Sequence, residues 1–206
     1  MRTVTVQSIL LNAASRAGLD GSSIDNLSAT TKTIMLDNLG IHLRAAWELF
    51  DWPDLTRCEL RTVQVGTNGD AYIDKAQTDE TEMGEVFNVF VDNPTVTVAP
   101  RQITYALDVD KIRLPSTAPG SVYVRYRLAP TEISTTVATG LAQTVPGFLA
   151  DYCKFQLAGD LKTEDGQLDQ ADVMYQRAEN YIVSEMDKLT FQQNQPRRWS
   201  AVTSTY

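Results

Sequence analysis

The sequence predicts an α+β protein: an antiparallel helical bundle of about four helices formed by the N- and C-terminal segments, an inserted antiparallel β-sheet or small barrel, and an extended C-terminal arm. Three observations predict it. Apolar residues recur at spacings of three and four before residue 57 and again after residue 131, as they do on helix faces buried against a core. Between those stretches the pattern changes to period two, rich in β-branched residues and punctuated by turn formers. Beyond Phe191 neither period survives. The expected divisions are 1–56 and 131–191 for the two parts of the bundle, 57–130 for the β domain and 192–206 for the arm.

Val6, Ile9, Leu10, Ala13, Ala14 and Ala17 share one helical face, and Gly18 follows where a left-handed residue ends a helix. Residues 19–28 are rich in turn formers, and either Asp25 or Ser28 is placed to cap the next helix. That helix carries Met35, Leu36, Leu39, Leu43, Ala46, Trp47 and Phe50, a stripe wide enough for more than one neighbour. It stops at Trp52-Pro53, because proline pushes the residue before it out of helical ψ. From Arg57 the chain reads as strand, and Asn68-Gly69 supplies the positive φ angles of a hairpin turn leading into Ala71–Asp74. Further strands are expected at Val86–Val91, Thr95–Val98, Ile103–Leu107, Lys111–Leu114 and Ser121–Arg127, as an antiparallel meander curled into a sandwich or barrel. The acid-rich segment 78–85 reads as a solvated loop. After a Thr-rich bridge, Thr144 is placed to cap a helix carrying Phe148, Leu149, Tyr152, Phe155 and Leu161. A turn at 163–166 precedes a last helix with the seam Leu168, Ala171, Tyr175, Ala178, Ile182 and Leu189, whose partners are the helices at 146–162 and 29–50.

Composition narrows the function classes. The 206 residues include 43% hydrophobic and 21% charged, ordinary for a folded domain. The N-terminus lacks the apolar block of a secretory signal, and no run approaches the ~18 apolar residues that span a bilayer. A soluble protein made in a cytoplasm, with no membrane partner, is therefore expected. Cys58 and Cys153 lie far apart without a CxxC spacing and are expected to stay reduced. A net charge of −8 opposes tight binding to nucleic acid, which requires clustered Lys and Arg, yet suits a wall to which passing DNA does not stick.

Residues for catalysis are scarce. The one histidine, His42, falls within a helix between Ile41 and Leu43, and no HExxH, Cys/His quartet, GxSxG or phosphate-loop pattern occurs. The acids Asp79, Glu80, Glu82 and Glu85, and Asp160, Glu164 and Asp165, occupy segments where solvated charge is expected. No catalytic residue, metal ligand or cofactor-binding residue is assigned. A carboxylate-dependent glycan hydrolase and an acidic DNA-mimic binding protein are the alternatives; the first requires a paired acid site and the second a regular acidic face. Trp47 and Trp52 are expected to pack in the core. Trp199 differs, standing beside Arg197 and Arg198 on the aperiodic arm, and these residue types dominate interface hot spots.

Three phrases, AAWELFDWPDLTRCELRTV, DKIRLPSTAPGSVYVRYRLAPTEI and VPGFLADYCKFQLAGDLKTEDGQLDQADVMYQRAENYIVSEMDKL, resemble the head-to-tail adaptors of tailed phages, including the tail tubular protein A type. The resemblance covers about residues 5–192 and lies in the order and texture of segments. It implies a virion protein assembled in the host cytoplasm, a monomer when free and a dodecameric ring beneath the portal protein. Such a ring passes double-stranded DNA without reading its sequence and docks the next tail component: nozzle, stopper or tail tube. The resemblance also makes the arm a portal clasp, with Pro196, Arg197, Arg198, Trp199 and Tyr206 as candidate contacts, and sets the β region against neighbouring subunits or the next tail component.

Overall fold

The computed structural model describes residues 2–76 and 83–194, and its class is α+β with antiparallel sheets. The described chain forms two compact units, 2–46 with 132–194, and 47–131. The first division falls earlier than the 56/57 boundary read from the sequence. The cause is Trp47, whose indole N–H donates to the Leu128 carbonyl at 2.9 Å and ties the end of its helix to the β unit.

The first unit opens with strand β1 (Thr3–Thr5) and helix α1 (Val6–Ala17). All six residues of the expected apolar face are buried, Thr5 caps the helix through Ser8 N–H, and Gly18 ends it at φ 87°. Ser28 is the cap of α2 (Ala29–Glu48), its Oγ accepting from Thr31 N–H at 3.0 Å, while Asp25 lies in a 3-10 turn. The helix stops at Glu48, so Phe50 lies beyond it and forms an edge-to-face pair with buried Trp52.

After the β unit the chain returns through a short helix α3 (Val137–Ala142), then β9 (Thr144–Pro146), α4 (Gly147–Glu164) and α5 (Leu168–Asn194). Thr144 is therefore not a helix cap. Val145 lies opposite Val4 in the β1–β9 ladder, a pairing between the unit's two separate stretches of chain that no local pattern announces. Helix α4 packs against α1 on one side and α5 on the other. It buries Leu149, Cys153, Leu157, Ala158 and Leu161, whereas Phe148, Tyr152 and Phe155 are only partly covered. Ala171, Ala178 and Ile182 of the α5 seam are buried, but Leu168, at the helix start, is 61% exposed. Helix α5 extends three residues past the expected arm boundary, to Asn194.

The β unit has two sheets. One joins β2 (Thr56–Thr62), β8 (Ser121–Leu128) and β5 (Met83–Phe90) in the order β2-β8-β5. The other joins β3 (Gln64–Val65), β4 (Ala71–Asp74), β7 (Lys111–Leu114) and β6 (Ala106–Leu107). Ile73 and Ile112 of one sheet and Val89, Val122, Val124 and Tyr126 of the other form a common core, the arrangement of a sandwich. The topology is not a meander, because the last strand, β8, inserts between β2 and β5.

Four local expectations are corrected. The 66–70 turn uses only one left-handed residue, Gly69 at φ 80°, and no non-glycine residue among those described has positive φ, so Asn68 stays on the ordinary side. Thr95–Val98 is not a strand: Asn93 bends it, its carbonyl accepting from Val96 and Thr97 N–H. The strand expected at Ile103–Leu107 shrinks to Ala106–Leu107. Met83–Glu85 belongs to β5, and residues 78–82 of the acidic segment lie outside the described residues.

Candidate functional site

The candidate docking residues Pro196, Arg197, Arg198, Trp199 and Tyr206 lie outside the described residues, as do Asp79, Glu80 and Glu82. Among the described residues, the densest gathering of polar side chains within the helical unit centres on Asp160. Its Oδ2 lies 2.7 Å from His42 Nε2 and accepts from the Asn38 amide at 2.9 Å; its Oδ1 accepts from the Tyr175 hydroxyl at 3.0 Å. Thr163 Oγ1 lies 3.3 Å from that hydroxyl. Three helices contribute: α2 through Asn38 and His42, α4 through Asp160 and Thr163, and α5 through Tyr175.

The sequence builds this cluster from helical spacing. Asn38 and His42 are four apart and so share a face of α2. Tyr175 reaches Asp160 because position 159 is glycine: a Cβ there would stand 2.4 Å from the ring. Burial pushes the Tyr175 hydroxyl above its ordinary range, and donation to Asp160 adds to that. Asp160 is thus not a solvated turn residue, as its place near the 163–166 turn implied, but 19% exposed in the last turns of α4. The signal available beforehand was a polar i, i+4 pair adjoining the apolar stripe of α2.

A His–Asp pair can orient a general base, and here the pair is joined through Asp160 by the Asn38 amide and the Tyr175 hydroxyl, with Thr163 beside that hydroxyl. What the network does chemically is fix how α2, α4 and α5 are rotated about their axes, since a shift of any of them strands a partly buried polar group. Among the described residues no three His, Cys, Asp or Glu side chains gather where they could share a metal ion. Cys58, half-buried on β2, and Cys153, buried on α4, are free thiols.

The β unit has its own polar group inside the sandwich. Arg61, fully buried, donates to Glu59 at 2.9 Å and to the Tyr126 hydroxyl at 3.0 Å, and Tyr126 in turn donates to Glu59 at 2.7 Å. Burial raises the Tyr126 pKa, and the bond to Glu59 raises it further. Nearby, Arg127 pairs with Asp51 and with Glu85 at 3.4 Å. These groups hold strands in register. Trp47 and Trp52 are buried, as their core assignment requires. No described helix is long and apolar enough to cross a membrane.

No family model and no curated protein matches the chain.

Proposed function

We propose that the chain is a structural head-to-tail adaptor of a tailed phage, a ring subunit under the portal protein that extends the DNA channel and docks the tail. One observation supports this reading above others. The stretch before the β unit co-folds with the stretch after it, β1 with β9 and α1 with α4, so the β unit is an insertion in the sequence of a helical unit. From the same unit α5 leads toward the 195–206 segment that carries Arg197, Arg198 and Trp199. Such a subunit has one module for packing, one for presenting a surface, and a tail of residue types that anchor partners. The acidity of the chain, net −8, suits a conduit whose walls repel DNA.

The experiment mixes purified protein with its cognate portal and images the product. Rings on the portal are expected with the full chain. Removing 195–206 leaves α5 intact and is expected to abolish docking. Unimpaired docking by the truncated chain overturns the arm assignment, and absence of any portal complex with the full chain overturns the adaptor reading.

A further inference from the structure

The turn between β3 and β4 carries Asn68, the one asparagine of the chain that precedes a glycine. The structure separates it from the other asparagines in a second way. The side-chain amides of Asn12, Asn26 and Asn38 donate to the Ser8 carbonyl at 2.7 Å, to Asp20 at 2.7 Å and to Asp160 at 2.9 Å. Asn88 lies inside β5 and Asn180 inside α5, where regular hydrogen bonding holds the backbone, and Asn93 precedes a proline, which has no N–H. The Asn68 side chain is exposed and makes no hydrogen bond among the described residues.

The nitrogen that follows it is equally open. Gly69 stands at φ 80° with nothing within 4 Å of the position a Cβ would take, so neither a side chain of its own nor a neighbouring group crowds it. One bond restrains this nitrogen: the Gly69 N–H donates to the Gly66 carbonyl at 2.9 Å. Little closes the turn around that bond. β3 is the edge strand of its sheet and pairs with β4 through only Gln64–Tyr72 and Val65–Ala71, so local opening breaks a very short ladder.

We infer that Asn68 is a site of hydrolytic self-modification, its side-chain amide converted to a carboxylate through attack by the Gly69 backbone nitrogen. When the turn opens, that nitrogen gives its proton to a base in solution and bonds to Cγ of Asn68. The side-chain nitrogen takes up a proton and leaves as ammonia, which closes a cyclic imide. Water then adds to either imide carbonyl. Breaking the new Cγ–N bond leaves aspartate in an ordinary chain, whereas breaking the original peptide bond leaves isoaspartate, with the chain running through Cγ. The net change is one water consumed and one ammonia released, with no oxidant or reductant. Either product places a negative charge two residues from exposed Asp70, and isoaspartate adds an atom to the backbone of the turn that sets β3 on β4. The inference does not rest on the adaptor reading, because the reaction requires only water.

Ageing the full chain in buffers of rising pH tests it. After brief tryptic digestion, the peptide that follows Arg61 and ends at Lys75 is weighed by mass spectrometry, and an isoaspartyl methyltransferase reports the isoaspartate product. The same peptide, synthesised, is aged alongside. Conversion at position 68 should rise with pH and outrun conversion at every other asparagine. It should run no more than about tenfold slower than in the free peptide, which corresponds to a turn-opening cost of about 1.4 kcal/mol. Asn68→Gln, which needs a larger ring, should lose the isoaspartate signal of this peptide while its circular dichroism matches the parent. In Gly69→Ala a left-handed alanine loosens the turn while its Cβ crowds the attacking nitrogen, and conversion should slow. An Asn68 that stays intact in the folded chain while the free peptide converts overturns the inference. So does faster conversion at another asparagine, an isoaspartate signal that survives Asn68→Gln, or a faster reaction in Gly69→Ala.

Discussion

Gly159→Ala sets two physical effects against each other. Alanine is the better helix former by about 1 kcal/mol, so on propensity alone the change in α4 should stabilise. The added Cβ, however, would stand 2.4, 2.7 and 2.8 Å from three atoms of the Tyr175 ring. The ring must move. Overpacking of this kind costs about 1–3 kcal/mol. Displacing the hydroxyl from Asp160 at 3.0 Å removes a bond to a charged acceptor, about 1.5 kcal/mol more. The sum favours destabilisation by about 2 kcal/mol. In urea unfolding followed by helical circular dichroism, an m-value of about 2 kcal/mol/M makes that a midpoint shift of about 1 M downward. The control is the Tyr175→Ala background, where the obstacle is gone and Gly159→Ala should stabilise by about 1 kcal/mol. A rise in midpoint in the parent chain, or the same sign in both backgrounds, refutes the reasoning.

Three further outcomes follow from named contacts. Gly140→Ala puts a Cβ 2.2 Å from the Ser134 carbonyl oxygen and 2.9 Å from Leu36 Cδ2; backbone cannot swing aside, so thermal unfolding should show a loss of about 3 kcal/mol, and an unchanged melting temperature would contradict the packing. Hydrogen bonds from the Arg101 guanidinium and backbone N–H lower the Asp92 pKa to about 2. Its folded value thus lies below the unfolded value of about 3.9, and the contribution of the Asp92–Arg101 pair is present above about pH 4 and lost as pH falls through about 2; an NMR titration of the Asp92 carboxyl with a midpoint near its unfolded value would show that the pair does not form. Burial pushes the Cys153 thiol up to about 12, while partial burial raises Cys58, so a thiol reagent at mild alkaline pH should leave Cys153 unlabelled until denaturant is added. Labelling of Cys153 in the native protein at the rate of an exposed thiol would contradict its placement on the inner face of α4.

What could be read from the sequence is what the local chain dictates. The six apolar positions of α1 and the glycine that ends it stand where period and cap predict, because a 12-residue helix with one buried face follows from its own spacing. The α+β class, the strands at Lys111–Leu114 and Ser121–Leu128, and the burial of Trp47 and Trp52 follow for the same reason. The failures share a different cause. Thr144–Pro146 has every mark of a helix start, yet it is a strand because Thr3–Thr5, from the far end of the chain, pairs with it. Thr95–Val98 has strand composition, yet no described strand pairs with it. Asp160 lies four residues from the helix end and reads as solvated, yet two helices distant in sequence deliver Asn38, His42 and Tyr175 to its oxygens. By itself the sequence determined the long helices and most of the strands, because those depend on side chains a few residues apart. The tertiary structure alone decided which strand pairs with which and which carboxylate is enclosed, because those depend on residues that meet only after the chain has closed on itself.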